Sequence, residues 1–101
     1  MEINVEIKNL TKEDIIYILS ETFKHSMWNK NNAIEVTNKL LNNECTTIIN
    51  NRNIKFALSL NRLYTGIELF IKNGGGTNIC KYDLIDGNRI LQYALFGTLM
   101  F

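Results

Sequence analysis

Apolar residues recur along this chain in two periods, and the switches between them mark out its elements. Met1, Ile3, Val5 and Ile7 alternate with Glu2, Asn4, Glu6 and Lys8, the period of a strand with one buried face. From Thr11 the spacing becomes helical: Ile15, Ile16, Leu19 and Phe23 form one stripe. Thr11 with Asp14 three residues on is a capping-box start, so a first helix is predicted from Thr11 to about His25. A polar turn, Asn29 to Asn32, follows Trp28, and Asn32 caps a second helix that carries Ile34, Val36, Leu40 and Leu41 and stops near Asn42.

Thr46 to Ile49 is β-branched throughout, Asn50 to Asn53 is turn chemistry, and Ile54 to Leu58 is again strand-like, which predicts a hairpin over 46–58. Ser59 then caps a third helix whose Leu60, Leu63, Ile67, Phe70 and Ile71 share one face, ended by Gly74, Gly75 and Gly76. Ile79 to Tyr82 reads as a short extended piece. Asp86 is placed as N-cap of a last helix with Ile90, Leu91, Ala94 and Leu95 inward and Gly97 as its stop. The apolar Leu99, Met100 and Phe101 that follow need cover, so the chain end is expected to be structural or interfacial. The sum is a single domain over 1–101 of α+β class: about four helices and a small antiparallel sheet built on the 46–58 hairpin, with the N-terminal strand on the same sheet.

Composition narrows the class. A chain of 101 residues with 46% hydrophobic content supports one modest core. Its apolar runs fall far short of the roughly twenty residues of a membrane helix, and no basic-then-apolar leader opens it, so no membrane partner and a cytoplasmic location are expected. Eleven basic and ten acidic residues leave a net charge of +1, without the basic excess of a duplex-binding surface, so no duplex nucleic acid is expected. Near-neutrality also disfavours a DNA mimic. Cys45 and Cys80 lack metal-ligand spacing and are expected to be buried thiols. Asparagine and isoleucine are abundant, lysine outnumbers arginine eight to three and proline is absent, a bias that suits an AT-rich genome such as that of a low-GC bacterium or its phage.

Candidate chemistry is sparse. Phosphate loops place glycines between a strand and a helix N-terminus, whereas Gly74 to Gly76 follow a helix, so they read as a cap and turn. His25, the single histidine, has Glu21 one helical turn before it, but no nucleophile stands at a recognisable elbow. No catalytic residue, metal site or cofactor is therefore assigned. For recognition, Trp28 is either a lid on the core or a stacking platform for a flat ligand. Arg62 and Tyr64 on the third helix, and Arg89, Gln92 and Tyr93 on the last, lie largely off the apolar stripes. Arginine suits phosphate because its planar fork donates two bonds. The ligand-binding candidates are Trp28, Arg62, Arg89 and Tyr93.

The order of segments, "LTKEDIIYIL" with Trp28 after it, a hairpin leading into "LSLNRLYTGIELFIKNGG", then "DLIDGNRILQYALFGTLMF", resembles small, poorly characterised proteins of phages and prophages in low-GC Gram-positive bacteria. The likeness spans nearly the whole chain and is most specific from Ile90 to Gly97. It departs after the glycine, where such endings carry an acidic residue and this chain has Thr98. The resemblance implies a phage-encoded counter-defence role exercised by binding alone. The expectation is a non-catalytic homo-oligomeric sponge, paired through the C-terminal residues, that sequesters a cyclic or ADP-ribose-type nucleotide in the host cytoplasm. The alternatives are a protein-binding inhibitor of a host defence complex (anti-CRISPR-like) or virion accessory protein, and a small enzyme.

Overall fold

The computed structural model describes residues 10–100, so the expected strand over Met1 to Lys8 and the terminal Phe101 lie outside the described residues. The capping box at Thr11 forms as predicted: Asp14 N–H donates to the Thr11 hydroxyl and Thr11 N–H to the Asp14 carboxylate, each at 3.1 Å. It starts helix α1, Lys12–Thr22, which buries Ile15, Ile18, Leu19 and Thr22. Ile16 is only half-buried; Ile18 takes its place in the stripe. The helix ends sooner than expected, at the cap Phe23, and the chain reaches Trp28 through tighter turns.

Helix α2, Ala33–Leu41, is capped by Asn32, whose side chain accepts from Glu35 N–H at 2.9 Å. Its inward face is Val36, Thr37 and Leu40. Ile34 and Leu41, both expected in the apolar stripe, are exposed, Ile34 to 60%. They stand seven residues apart and so share one side of the helix, flanking the buried stripe. Asn43, at φ 59°, supplies the left-handed residue that ends α2.

Strands β1, Thr46–Ile49, and β2, Lys55–Leu58, pair antiparallel with Thr46 opposite Leu58 and Ile48 opposite Phe56. Period-2 alternation turns Thr46, Ile48, Phe56 and Leu58 to the core and leaves Thr47 and Ala57 exposed. The turn is built by asparagines. Asn50 accepts from the N–H groups of Arg52 and Ile54 at 2.8 and 2.9 Å through its side chain, and Asn53 sits at φ 62°. Asn31, outside the hairpin, donates to Ile49 O at 2.8 Å and accepts from Ile49 N–H at 2.9 Å, filling the place of a neighbouring strand at that residue.

Helix α3, Leu60–Lys72, is capped by Ser59 and buries Leu63, Gly66, Ile67, Phe70 and Ile71. The segment expected to be extended is instead a 3-10 turn, Ile79–Lys81, because the Asn78 side chain accepts from Cys80 N–H and closes it locally. Tyr17 ties this turn to α1, its hydroxyl donating to Tyr82 O at 2.8 Å and Cys80 O at 3.1 Å. Helix α4, Leu84–Phe96, is capped by Asp83, not Asp86: the two form a reciprocal box in which Asp86 is the third helical residue. Gly97, at φ 75°, ends α4 as predicted.

The chain is thus of α+β class, with four helices and one two-stranded sheet among the described residues. Helices α3 and α4 run antiparallel: Phe70 meets Tyr82 edge-to-face at 5.4 Å just before α4, and Phe56, just before α3, meets Phe96 at 5.2 Å. The two helices touch at Gly66, where an added Cβ would lie 2.6 Å from Ile90 O, and α1 meets α4 at Gly87, where it would strike the Thr22 hydroxyl. Both expected buried thiols prove otherwise: Cys45 and Cys80 are exposed. Among the described residues no helix is long and apolar enough to cross a membrane.

Candidate functional site

A pocket of about 190 Å³ opens between the end of α3, the triglycine turn and the outer side of α4. Asp86, Arg89 and Tyr93 line it from α4, standing three and four residues apart and therefore on one helical face. The adjoining face of α4, Ile90, Leu91 and Ala94, is buried. Phe70 and Asn73 contribute from α3, and Leu99 reaches the rim because the left-handed Gly97 turns the tail back along α4, where Met100 N–H donates to Gln92 Oε1 at 2.8 Å.

The glycines form one wall of the pocket without cradling phosphate. Gly74 N–H donates to Ile71 O at 3.1 Å and Gly75 N–H to Phe70 O at 2.8 Å, the paired bonds that close a helix C-terminus on a left-handed Gly74. The cap-and-turn reading of the triglycine therefore holds. Both N–H groups are spent on α3, and the turn's contribution to the pocket is a wall with no side chains.

The electrostatics of the pocket are mixed. Asp86 Oδ2 accepts from Asp83 N–H at 3.1 Å, which fixes the carboxylate at the start of α4. Asp83, exposed and holding the N–H groups of the first turn, has its carboxyl pulled below the usual range, chiefly by the backbone hydrogen bond from Asp86. Tyr82, behind the pocket, donates its hydroxyl to Gly76 O at 2.7 Å, and its phenol is pushed up to about 12 by burial first and the charge of Asp86 second. Arg89 is exposed and makes no hydrogen bond or ion pair among the described residues, so its guanidinium is open to a ligand.

Of the four sequence-derived candidates, Arg89 and Tyr93 are brought together here and the other two are not. Trp28 is fully buried, with its indole N–H donating to Asn88 Oδ1 at 2.7 Å, so it is core and offers no face for stacking. Arg62 is exposed on the first turn of α3 and donates to Ala57 O at 3.0 Å; it lies about 16 Å of helix away from Asn73, at ~1.5 Å per residue. Gln92, expected on the open face, is 1% exposed. Asp86, Phe70 and Leu99 are the site residues that sequence reasoning missed. His25 and Glu21 do not act as a pair: His25 Nδ1 accepts from Met27 N–H at 3.1 Å, and Glu21 pairs with Lys24 at 2.6 Å. Among the described residues no group of three or more His, Cys, Asp or Glu side chains could hold a metal ion.

Compared with protein-family models, with curated proteins and with solved structures, the chain matches none.

Proposed function

We propose that the protein is a non-catalytic, phage-type binding protein that sequesters a nucleotide-derived signal, with the Arg89–Tyr93 pocket as its site. The carrying observation is that a guanidinium with no hydrogen bond or ion pair among the described residues and a half-buried aromatic ring line one concavity beside a side-chain-free wall. A nucleotide needs a cation for its phosphate and an apolar surface for its sugar or base to lie against, and this pocket offers both. The counter-defence setting rests on the sequence resemblance of the Ile90 to Gly97 segment alone. A homo-oligomer is part of the proposal, supported by the exposure of Leu99 and Met100 beside the pocket.

The test is thermal unfolding with and without cyclic and ADP-ribose-type nucleotides, since a ligand of the folded state raises the melting temperature by mass action. Arg89→Ala should cost about 1.5–3 kcal/mol of affinity, the worth of a charge-assisted bond. Ligand recovered unchanged after denaturation identifies a sponge; ligand converted to product identifies an enzyme and overturns the reading. A second reading, a protein-binding inhibitor, is favoured by the hairpin tip, where the half-exposed Ile54 stands between the exposed Arg52 and Lys55. No response to any nucleotide would favour it, whereas an intact affinity in Arg89→Ala would move the nucleotide site away from this pocket.

A further inference from the structure

Resting on that reading, we infer that the pocket takes the ribose-phosphate portion of the ligand, with Asp86 accepting from the vicinal diol, Arg89 donating to the phosphate and the base left outside. Size is the first argument. Pockets that engulf a drug-sized ligand begin at roughly 300 Å³, and this one, about 190 Å³, is too small for a whole nucleotide. A sugar and one phosphate are the compact polar part of such a molecule.

Charge is the second argument. A site for a bare phosphate would be cationic throughout, but here a carboxylate shares the pocket with the guanidinium, and the two form no ion pair among the described residues. The carboxylate is acceptor-only, and a phosphate offers it nothing but repulsion. A vicinal diol offers two donors, the same match by which an acidic side chain holds ribose in dinucleotide-binding folds. Asp86 has an oxygen for this: Oδ2 is engaged by Asp83 N–H, and Oδ1 accepts no bond from the described residues. The wall opposite is the glycine turn, whose lack of side chains leaves room for a sugar ring, and Tyr93 supplies the apolar side against which its C–H face can lie.

A 3′,5′-linked cyclic dinucleotide carries two phosphates and no free vicinal diol, so the inference separates the two ligand types that the function leaves open. The experiment is calorimetric titration of the full chain with ribose 5-phosphate, 2-deoxyribose 5-phosphate, ADP-ribose, inorganic phosphate and cyclic di-AMP. Ribose 5-phosphate and ADP-ribose should bind, and the deoxy sugar should bind about tenfold more weakly for loss of a bond to a charged group. Asp86→Asn, whose amide oxygen can still accept from Asp83 N–H, should erase that ribose-to-deoxyribose ratio, while Arg89→Ala should weaken both sugars alike. Equal binding of the two sugars by the wild-type chain overturns the inference without any variant. So does a preference for inorganic phosphate. Binding of cyclic di-AMP without ribose 5-phosphate overturns it and leaves the function standing, whereas silence from every nucleotide removes both.

Discussion

The indole N–H of Trp28 donates to Asn88 Oδ1 at 2.7 Å, joining the connection between α1 and α2 to the second turn of α4 across sixty residues of sequence. The ring is otherwise enclosed, meeting Phe56 edge-to-face at 6.2 Å. Asn88→Ala leaves a buried donor without its partner and is expected to cost about 1–3 kcal/mol. Trp28→Ala should cost ~3–5 kcal/mol, as a large core truncation does. Urea unfolding measures both, and a stability change below ~0.5 kcal/mol for Asn88→Ala would remove this bond from the account.

Helix α4 is gripped on two sides by contacts that leave no room for a methyl group. Gly66→Ala would drive a Cβ against Ile90 O and Ala94, and Gly87→Ala would drive one into Thr22. Each should destabilise by about 1–3 kcal/mol through overpacking. Gly76→Ala is the control: its Cβ would meet nothing within 4 Å, and a less flexible unfolded chain should leave it neutral or ~0.4–1 kcal/mol more stable. Equal effects at all three positions would contradict the packing described.

Tyr82 sets an alkaline limit. Its folded phenol, pushed up to about 12 from an ordinary value of 10.0, holds its proton where the unfolded chain has released its own. Stability from this group is therefore complete below about pH 10 and declines as pH rises towards about 12. Tyr82→Phe should cost ~1 kcal/mol at neutral pH for the bond to Gly76 O and should lose less stability than wild type over that alkaline window. Parallel stability curves for the two proteins would count against the shift.

The tail predicts assembly. Leu99 and Met100 are 40% and 58% exposed in the single chain although Met100 N–H is fastened to Gln92. Light scattering at tens of micromolar should find a homo-oligomer, and a Leu99→Ser, Met100→Ser double variant should be a folded monomer. A monomeric wild-type protein would defeat the proposal that these residues are an interface.

How far the sequence carried depended on whether a signal was local. The caps at Thr11, Asn32 and Ser59 and the asparagine turn of the hairpin are decided within four residues, and all formed where they were expected. At α4 the same rule had two acidic candidates three residues apart. Asp83 prevails because Leu84 and Ile85 are already helical, leaving Asp86 the reciprocal place in the box. Gln92 and Ile34 were misplaced because polarity alone does not say which side of a helix meets a neighbour. Arg89 and Tyr93 were readable as a pair four residues apart on one helix. Phe70 and the glycine wall join them through the antiparallel packing of α3 on α4, which no local signal encodes, and Leu99 joins through the left-handed turn at Gly97, a stop legible in the sequence that does not say where the tail then lies.

Asn31 has a consequence for how the hairpin finds its register. A one-residue slip in which β1 turns over would point the Ile49 peptide groups towards β2 and away from the loop, forfeiting both bonds that Asn31 makes to them. The side chain thus acts as a gauge of which edge of β1 faces the loop, and it sits on a segment fixed by the fully buried Trp28, whose carbonyl it also holds. The asparagine turn holds the ribbon at its tip and Asn31 holds it at its edge, so the placement of the hairpin is tied to the segment that carries the buried tryptophan.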